Sequence, residues 1–202
     1  MSAEPVSPDG DEAAMRELRH RARTTQPLAD GEEASLLERS ARGDGDSQSR
    51  LVAANLGLVI QLADARADRG LLVSDLVQEG SLGLVEAVRS FHESGQADFS
   101  AFAQQKVGEQ MDAALAAEAA AVRDAEQLVA AASDYERTEI LLRRTLHRVP
   151  TEAEIAEKLE WSVDRTRYVA TVVGEARRRY DEELLAFIDP DAIDFDDTVD
   201  GE

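Results

Sequence analysis

Cysteine is absent from the 202 residues, which excludes disulfides, thiolate metal sites and a cysteine nucleophile. Long apolar runs are missing as well: there is no stretch of about 18 hydrophobic residues. Met1 is not followed by a basic and then apolar leader, so neither a transmembrane nor a secreted protein is expected. Histidine is scarce. His20, His92 and His147 lie far apart with no second histidine at i+3 or i+4, so no metal and no other cofactor is expected. No phosphate-cradling glycine loop, nucleophile elbow or His-Glu-x-x-His sequence is present, and an enzyme is not indicated. Asp44 to Gln48 has the look of a calcium loop, but the sixth position is Ser49 and the twelfth Asn55; a helix cap accounts for it better.

Positive charge is in deficit. Against 42 Asp and Glu stand 22 Lys and Arg, a formal net charge of −20. Such a chain repels nucleic acid, whose non-specific affinity rests on phosphate contacts from Lys and Arg. A partner is therefore expected to be basic or to meet a local patch. Ten of the acids, and no Lys or Arg, fall in Asp181 to Glu202. With 43% hydrophobic and 32% charged residues, the middle of the chain has the composition of a protein that folds in water, and a cytoplasmic location is expected.

What is present reads as helices. Met1 to Asp11, with two prolines and few apolar residues, is expected to be disordered, and a short helix follows from Glu12 to Arg23. Asp30 is placed to cap a second helix with Glu33 at the reciprocal position. Gly43 to Ser47 supplies a turn and a new cap. A long helix is expected from Ser47 to about Asp68, with Val52, Leu56, Val59 and Ala63 on one stripe. Ser74 is expected to cap the next, through Leu76, Val77, Leu84, Val88 and Phe91, and another begins near Ser100. Ala113 to Ala132 holds eleven alanines and is expected to be a helical connector with little area for packing. Asp134 to His147 predicts one more helix. Pro150 to Glu154 contains a capping box for a short one, and Trp161-Ser162 opens the last. No segment alternates with period two for long enough to argue a strand, so the fold class is all-α.

Three stretches carry a resemblance: Arg50 to Ala63 (RLVAANLGLVIQLA), Arg69 to Leu71, and Asp75 to Phe91 (DLVQEGSLGLVEAVRSF), with Phe-Ser-Ala-Phe-Ala at Phe99 to Ala103. In this order and spacing they closely resemble region 2 of the bacterial sigma-70 family of transcription initiation factors. Pro27 to Gly45 resembles the end of region 1.2, while Val149 to Leu159 and Ser162 to Val169 resemble region 3. Nothing resembling region 4 follows. The resemblance implies a disordered segment 1–11, a region 1.2/2-like helical domain 12–118, an Ala-rich helical connector 119–133, a small three-helix region 3-like domain 134–180 and an acidic tail 181–202. It also implies a bacterial cytoplasmic protein whose partner is RNA polymerase core.

In that family the Asp-Leu-x-Gln-Glu-Gly helix docks on the clamp helices of the polymerase's largest subunit, and Asp75, Leu76, Val77, Gln78 and Glu79 match it. Asp75 and Glu79 are one turn apart and present two carboxylates on one face, suited to arginines of a partner helix; Leu76 and Val77 are expected to supply apolar contact. The plainer alternative is that Asp75 is an early-turn acid favoured by the helix dipole and Glu79 a solvated charge.

The promoter-reading half departs from the family. Its tryptophan pair is Gln105 and Lys106 here, and the arginine that follows is Gly108. Stacking a flipped base on a ring is worth about 1–3 kcal/mol, so both indoles are a large loss. Residual DNA-facing candidates are Asn55, Phe91, Phe99, Phe102, Gln105 and Lys106; the phenylalanines are either core residues or the walls of a base pocket. Phe91 to Glu118 holds one Lys against five acids. The expectation is a transcription initiation factor or regulator that binds polymerase core and meets promoter DNA weakly or only within the polymerase complex. The alternative is a sigma mimic that occupies the core or captures an anti-sigma factor without reading DNA. Two fates are open for the acidic tail: a solubilising extension, or a segment threading a basic channel.

Overall fold

The computed structural model describes residues 8–187. Among them there are eight helices and no strand: α1 (Pro8–Thr24), α2 (Glu32–Ala41), α3 (Gly45–Ala54), α4 (Leu56–Asp64), α5 (Val73–Ser94), α6 (Phe99–Leu146), α7 (Glu152–Leu159) and α8 (Val163–Phe187). The all-α expectation holds. No helix of the described residues is long and apolar enough to cross a membrane. The chain divides into two compact units, Met1–Val122 and Arg123–Glu202.

The first unit is a bundle of α1 to α5 and the N-terminal half of α6. Its centre is Leu51, Val59, Leu76, Leu84, Val107 and Met111, all with no exposed surface. Burying a side chain of this size contributes about 1.5–3 kcal/mol, which is what fixes α5 against its neighbours. Glycines allow one of the approaches. A Cβ on Gly83 would lie 2.8 Å from the Lys106 carbonyl oxygen and 3.0 Å from Val107 Cα, so the α5 and α6 backbones touch where a side chain has no room.

The second unit combines the C-terminal part of α6 with α7 and α8. Tyr135, Ile155, Val169 and Val173 are buried together, with Leu128, Ala132 and Trp161 packed against them. Thr151 caps α7 with the full reciprocal capping box to Glu154, as the Thr-Glu-Ala-Glu sequence predicts.

Several expectations are corrected. Of the start expected to be disordered, 1–11, the residues from Pro8 on are helical, since proline is tolerated in a first helical turn, and residues 1–7 lie outside the described residues. The long helix expected over Ser47 to Asp68 is two. Asn55 leaves helical geometry at φ −102° and ψ 8°, its Nδ2 donating to the Leu51 carbonyl at 2.8 Å, and the second piece ends at Asp64. Asp30 does not cap α2; the cap position is Gly31 at φ 77°, a left-handed value that glycine adopts without penalty. The α2 side chain that does reach back is Glu32, which accepts from the Ala29 N–H at 2.8 Å. The alanine-rich stretch continues α6, and its Ala131 is buried in the second unit's core, so it packs as well as connects. α8 runs past residue 180 to Phe187; the remaining tail, 188–202, lies outside the described residues.

Candidate functional site

The helix bearing the Asp-Leu-Val-Gln-Glu-Gly sequence is amphipathic. Its inner face is Leu76, Val77, Gly80, Gly83, Leu84, Ala87 and Val88, all buried. Leu76 and Val77, expected to touch a partner, are 0% and 2% exposed; they are core residues, because inner-face positions recur at the same helical spacing that carries the rest of the bundle's core. The outer stripe is Asp75, Gln78, Glu79 and Leu82, at i, i+3, i+4 and i+7. Leu82 is 60% exposed. It is the apolar group this face offers, and the sequence reading missed it; its seven-residue step from Asp75 was the available signal.

This stripe borders a hollow of about 470 Å³ between α5 and α6. Asp75, Gln78 and Glu79 form one wall, and Ala114 and Glu118 stand on the other; no Lys or Arg lines it. Glu79 is held in place by Gln110, whose Nε2 donates to its carboxylate at 2.9 Å. Neither Asp75 nor Gln78 makes a side-chain hydrogen bond among the described residues. The start of α5 is tied to α1, where Asp11 accepts the Ser74 N–H at 3.2 Å. Ser74, expected to be the cap, is instead inside the helix, and the cap position is Leu72 without a side-chain bond. The face therefore presents the Asp75 carboxylate and the second oxygen of Glu79, whose other oxygen is taken by Gln110, to cationic donors beside one exposed leucine.

The expected DNA-facing residues are placed differently. Phe99 and Phe102 are 2% and 5% exposed and pack on half-buried Phe91 at ring distances of 5.3 and 5.7 Å. Phe91 and Phe99 also line a hollow with Glu33, Glu38 and His92; the burial of Phe99 and Phe102 makes them core residues. Asn55 is half-buried and engaged with the preceding helix α3 through the Leu51 carbonyl. Gln105 is exposed and donates to Glu109 at 2.8 Å. Lys106 Nζ binds Glu86 at 2.9 Å, and that hydrogen bond raises its pKa. A lysine so engaged is a poorer phosphate ligand, since each DNA contact must displace the carboxylate.

Gly108 explains a second contact that sequence reasoning did not find. A Cβ there would lie 3.1 Å from Arg66 Nη2, so the missing side chain leaves room for Arg66 to cross α6. It binds Asp112 in a fork, Nε to Oδ1 at 2.9 Å and Nη2 to Oδ2 at 3.0 Å. Asp112 is thereby held below the usual carboxylate range and Arg66 above its ordinary value. In the second unit Arg167 pairs with Glu152 and Asp164, Arg177 with Glu136 and Glu139, and Arg165 stacks on Trp161 at 4.5 Å.

Comparison with known proteins matches residues 51–107 to sigma-70 region 2, the segment from α3 to the aromatic start of α6. The chain is 33% identical over 148 residues to the RNA polymerase sigma factor SigA of Bacillus sp, covering 73% of this chain and 39% of that protein. It is 37% identical over 128 residues to SigA of Synechocystis sp., covering 63% of this chain and 30% of that protein. With SigA of Microcystis aeruginosa the identity is 35% over 125 residues, 61% of this chain and 30% of that protein. The chain thus spans well under half the length of these relatives. Residues 51–107 therefore form a sigma-70 region 2, and the similarity of the chain to these sigma factors runs over 125 to 148 residues.

Proposed function

We propose that the protein is a sigma-70-type initiation factor or regulator that docks on RNA polymerase core through the outer face of α5. The observation that carries this reading is the stripe of Asp75, Gln78, Glu79 and Leu82, which lies on the surface inside the matched region 2 segment and whose polar members border a hollow lined by no Lys or Arg among the described residues. Asp75 and Glu79 would take arginines of the polymerase clamp helices, Gln78 a polar group between them, and Leu82 the apolar contact. Leu76 and Val77 serve from beneath by holding the helix. The two-unit organisation, with a capped α7 and α8 in the second unit, supports the region 2 and region 3 assignment.

A second reading is favoured by the engagement of Lys106 with Glu86, which removes the one cation of the promoter-reading stretch from Phe91 to Glu118. On that reading the protein occupies the polymerase, or captures an anti-sigma factor, without reading DNA. In vitro transcription separates the two. Initiation with core polymerase and this protein alone supports a sigma factor, and inhibition only when a primary sigma factor is also present supports a mimic. No effect in either reaction contradicts a sigma factor and a core-occupying mimic; capture of an anti-sigma factor is tested by adding one to the reaction with the primary sigma factor, where this protein should relieve the inhibition.

A further inference from the structure

We infer that the hollow between α2 and the C-terminal end of α5 accepts an arginine side chain of a partner polypeptide. The hollow is distinct from the docking stripe. Phe91 and Asp75 are sixteen residues apart on α5, about 24 Å along the helix axis. Its volume is about 300 Å³, the lower end for a small-ligand site and fit for one long side chain. Leu37, Phe91 and Phe99 supply apolar and aromatic walls, with the two rings set edge to face at 5.3 Å. Glu33 and Glu38 stand on the α2 side and His92 on the α5 side; no Lys or Arg lines it.

Charge selects the occupant. Glu33 has no ion-pair or hydrogen-bond partner among the described residues. Glu38 has only a loose contact with Arg42 at 3.8 Å, with both side chains more than 70% exposed, a pairing worth little in water. Two carboxylates beside an aromatic wall attract a cation and repel a phosphodiester, so a nucleotide entering on its backbone is disfavoured. Among cations, a guanidinium fits better than an ammonium. It is planar, stacks on a phenylalanine ring, forks to carboxylates and gives up its hydration more readily. The aliphatic stem of arginine then lies along Leu37.

The test uses the full chain, isotopically labelled, titrated in NMR with N-acetyl-arginine amide, N-acetyl-lysine amide or adenosine monophosphate. Saturable shifts at His92, Gln96 and Ala97 are expected with the arginine amide at millimolar concentration, weaker ones with the lysine amide and none with the nucleotide. Glu33→Gln with Glu38→Gln should weaken the arginine amide by about fivefold, the equivalent of roughly 1 kcal/mol. Glu38 is exposed, so Glu38→Gln alone keeps the fold and should shift affinity in the same direction. The inference is overturned if the arginine amide leaves these amides unmoved, if the nucleotide binds there more tightly, or if the glutamine variants bind like the wild type.

Discussion

Asp11 of α1 caps α5 from outside: its Oδ1 accepts the backbone N–H of Ser74 at 3.2 Å, across 63 residues of sequence. The first turn of a helix has N–H groups without intrahelical partners, and here the adjacent residue is Asp75, the first of the proposed docking stripe. Asp11→Ala should cost about 1 kcal/mol of stability, the usual loss for a helix cap. Hydrogen exchange is the check: the Ser74 amide should lose protection while α5 beyond Gly83 keeps it.

Gly80 and Gly83 both face α6, with different consequences. At Gly83 an added Cβ meets backbone, the Lys106 carbonyl oxygen at 2.8 Å. At Gly80 it meets side-chain ends, the Met111 methyl and Val59 Cγ1. Side-chain ends move more readily than a helix backbone. Gly83→Ala should therefore be the more damaging, destabilising by about 1–3 kcal/mol through overpacking even though alanine favours the helix. Urea denaturation of both variants checks the order; Gly83→Ala at wild-type stability would refute the close approach.

Local signals in the sequence were readable and distant ones were not. The Thr151 to Glu154 capping box is complete within four residues, so its sequence sufficed. The apolar stripe of the expected Ser47 to Asp68 helix continues across Asn55, and nothing in that periodicity announces that the side chain turns back on Leu51. Ser74 was a reasonable cap by type, but the group that bonds its N–H comes from Asp11, a contact no local pattern encodes. At the candidate site the carboxylate pair was legible from its spacing. The apolar partner was not: Leu76 and Val77 share the motif with Asp75, yet the helical angle turns them inward and brings Leu82 out. The alanine run shows the same limit, since propensity gave its helix but not the burial of Ala131.

The second unit carries an acid-sensitive contact at Glu154. Hydrogen bonds from Arg148, and then from the Thr151 N–H and hydroxyl, hold its carboxyl down to about 2 from an ordinary 4.5. A carboxyl depressed on folding adds stability above its unfolded pKa, and that addition is lost as pH falls through the folded value. The window is therefore about 4.5 down to about 2. Glu154→Gln keeps a capping-box side chain but removes the charge. Amide protection of α7 should fall with acid across this window in the wild type and much less in Glu154→Gln; identical profiles would refute the role.

Leu82 separates binding from folding. At 60% exposed it contributes little to the core, so Leu82→Ala should change stability by no more than about 0.5 kcal/mol. If the proposed docking stripe binds as argued, the same truncation should cost about 1–3 kcal/mol of affinity for polymerase core. Paired thermal denaturation and core-binding measurements check both halves.

The most direct measurement is the affinity for RNA polymerase core of the wild type and of the double variant Asp75→Lys, Glu79→Lys, with circular dichroism showing that both are folded. The expected result is that the wild type binds and the variant is weaker by about 2–5 kcal/mol, the loss when charge pairs buried on docking are reversed. Equal affinity for the two proteins, or a folded wild type that does not bind core, would contradict docking through α5.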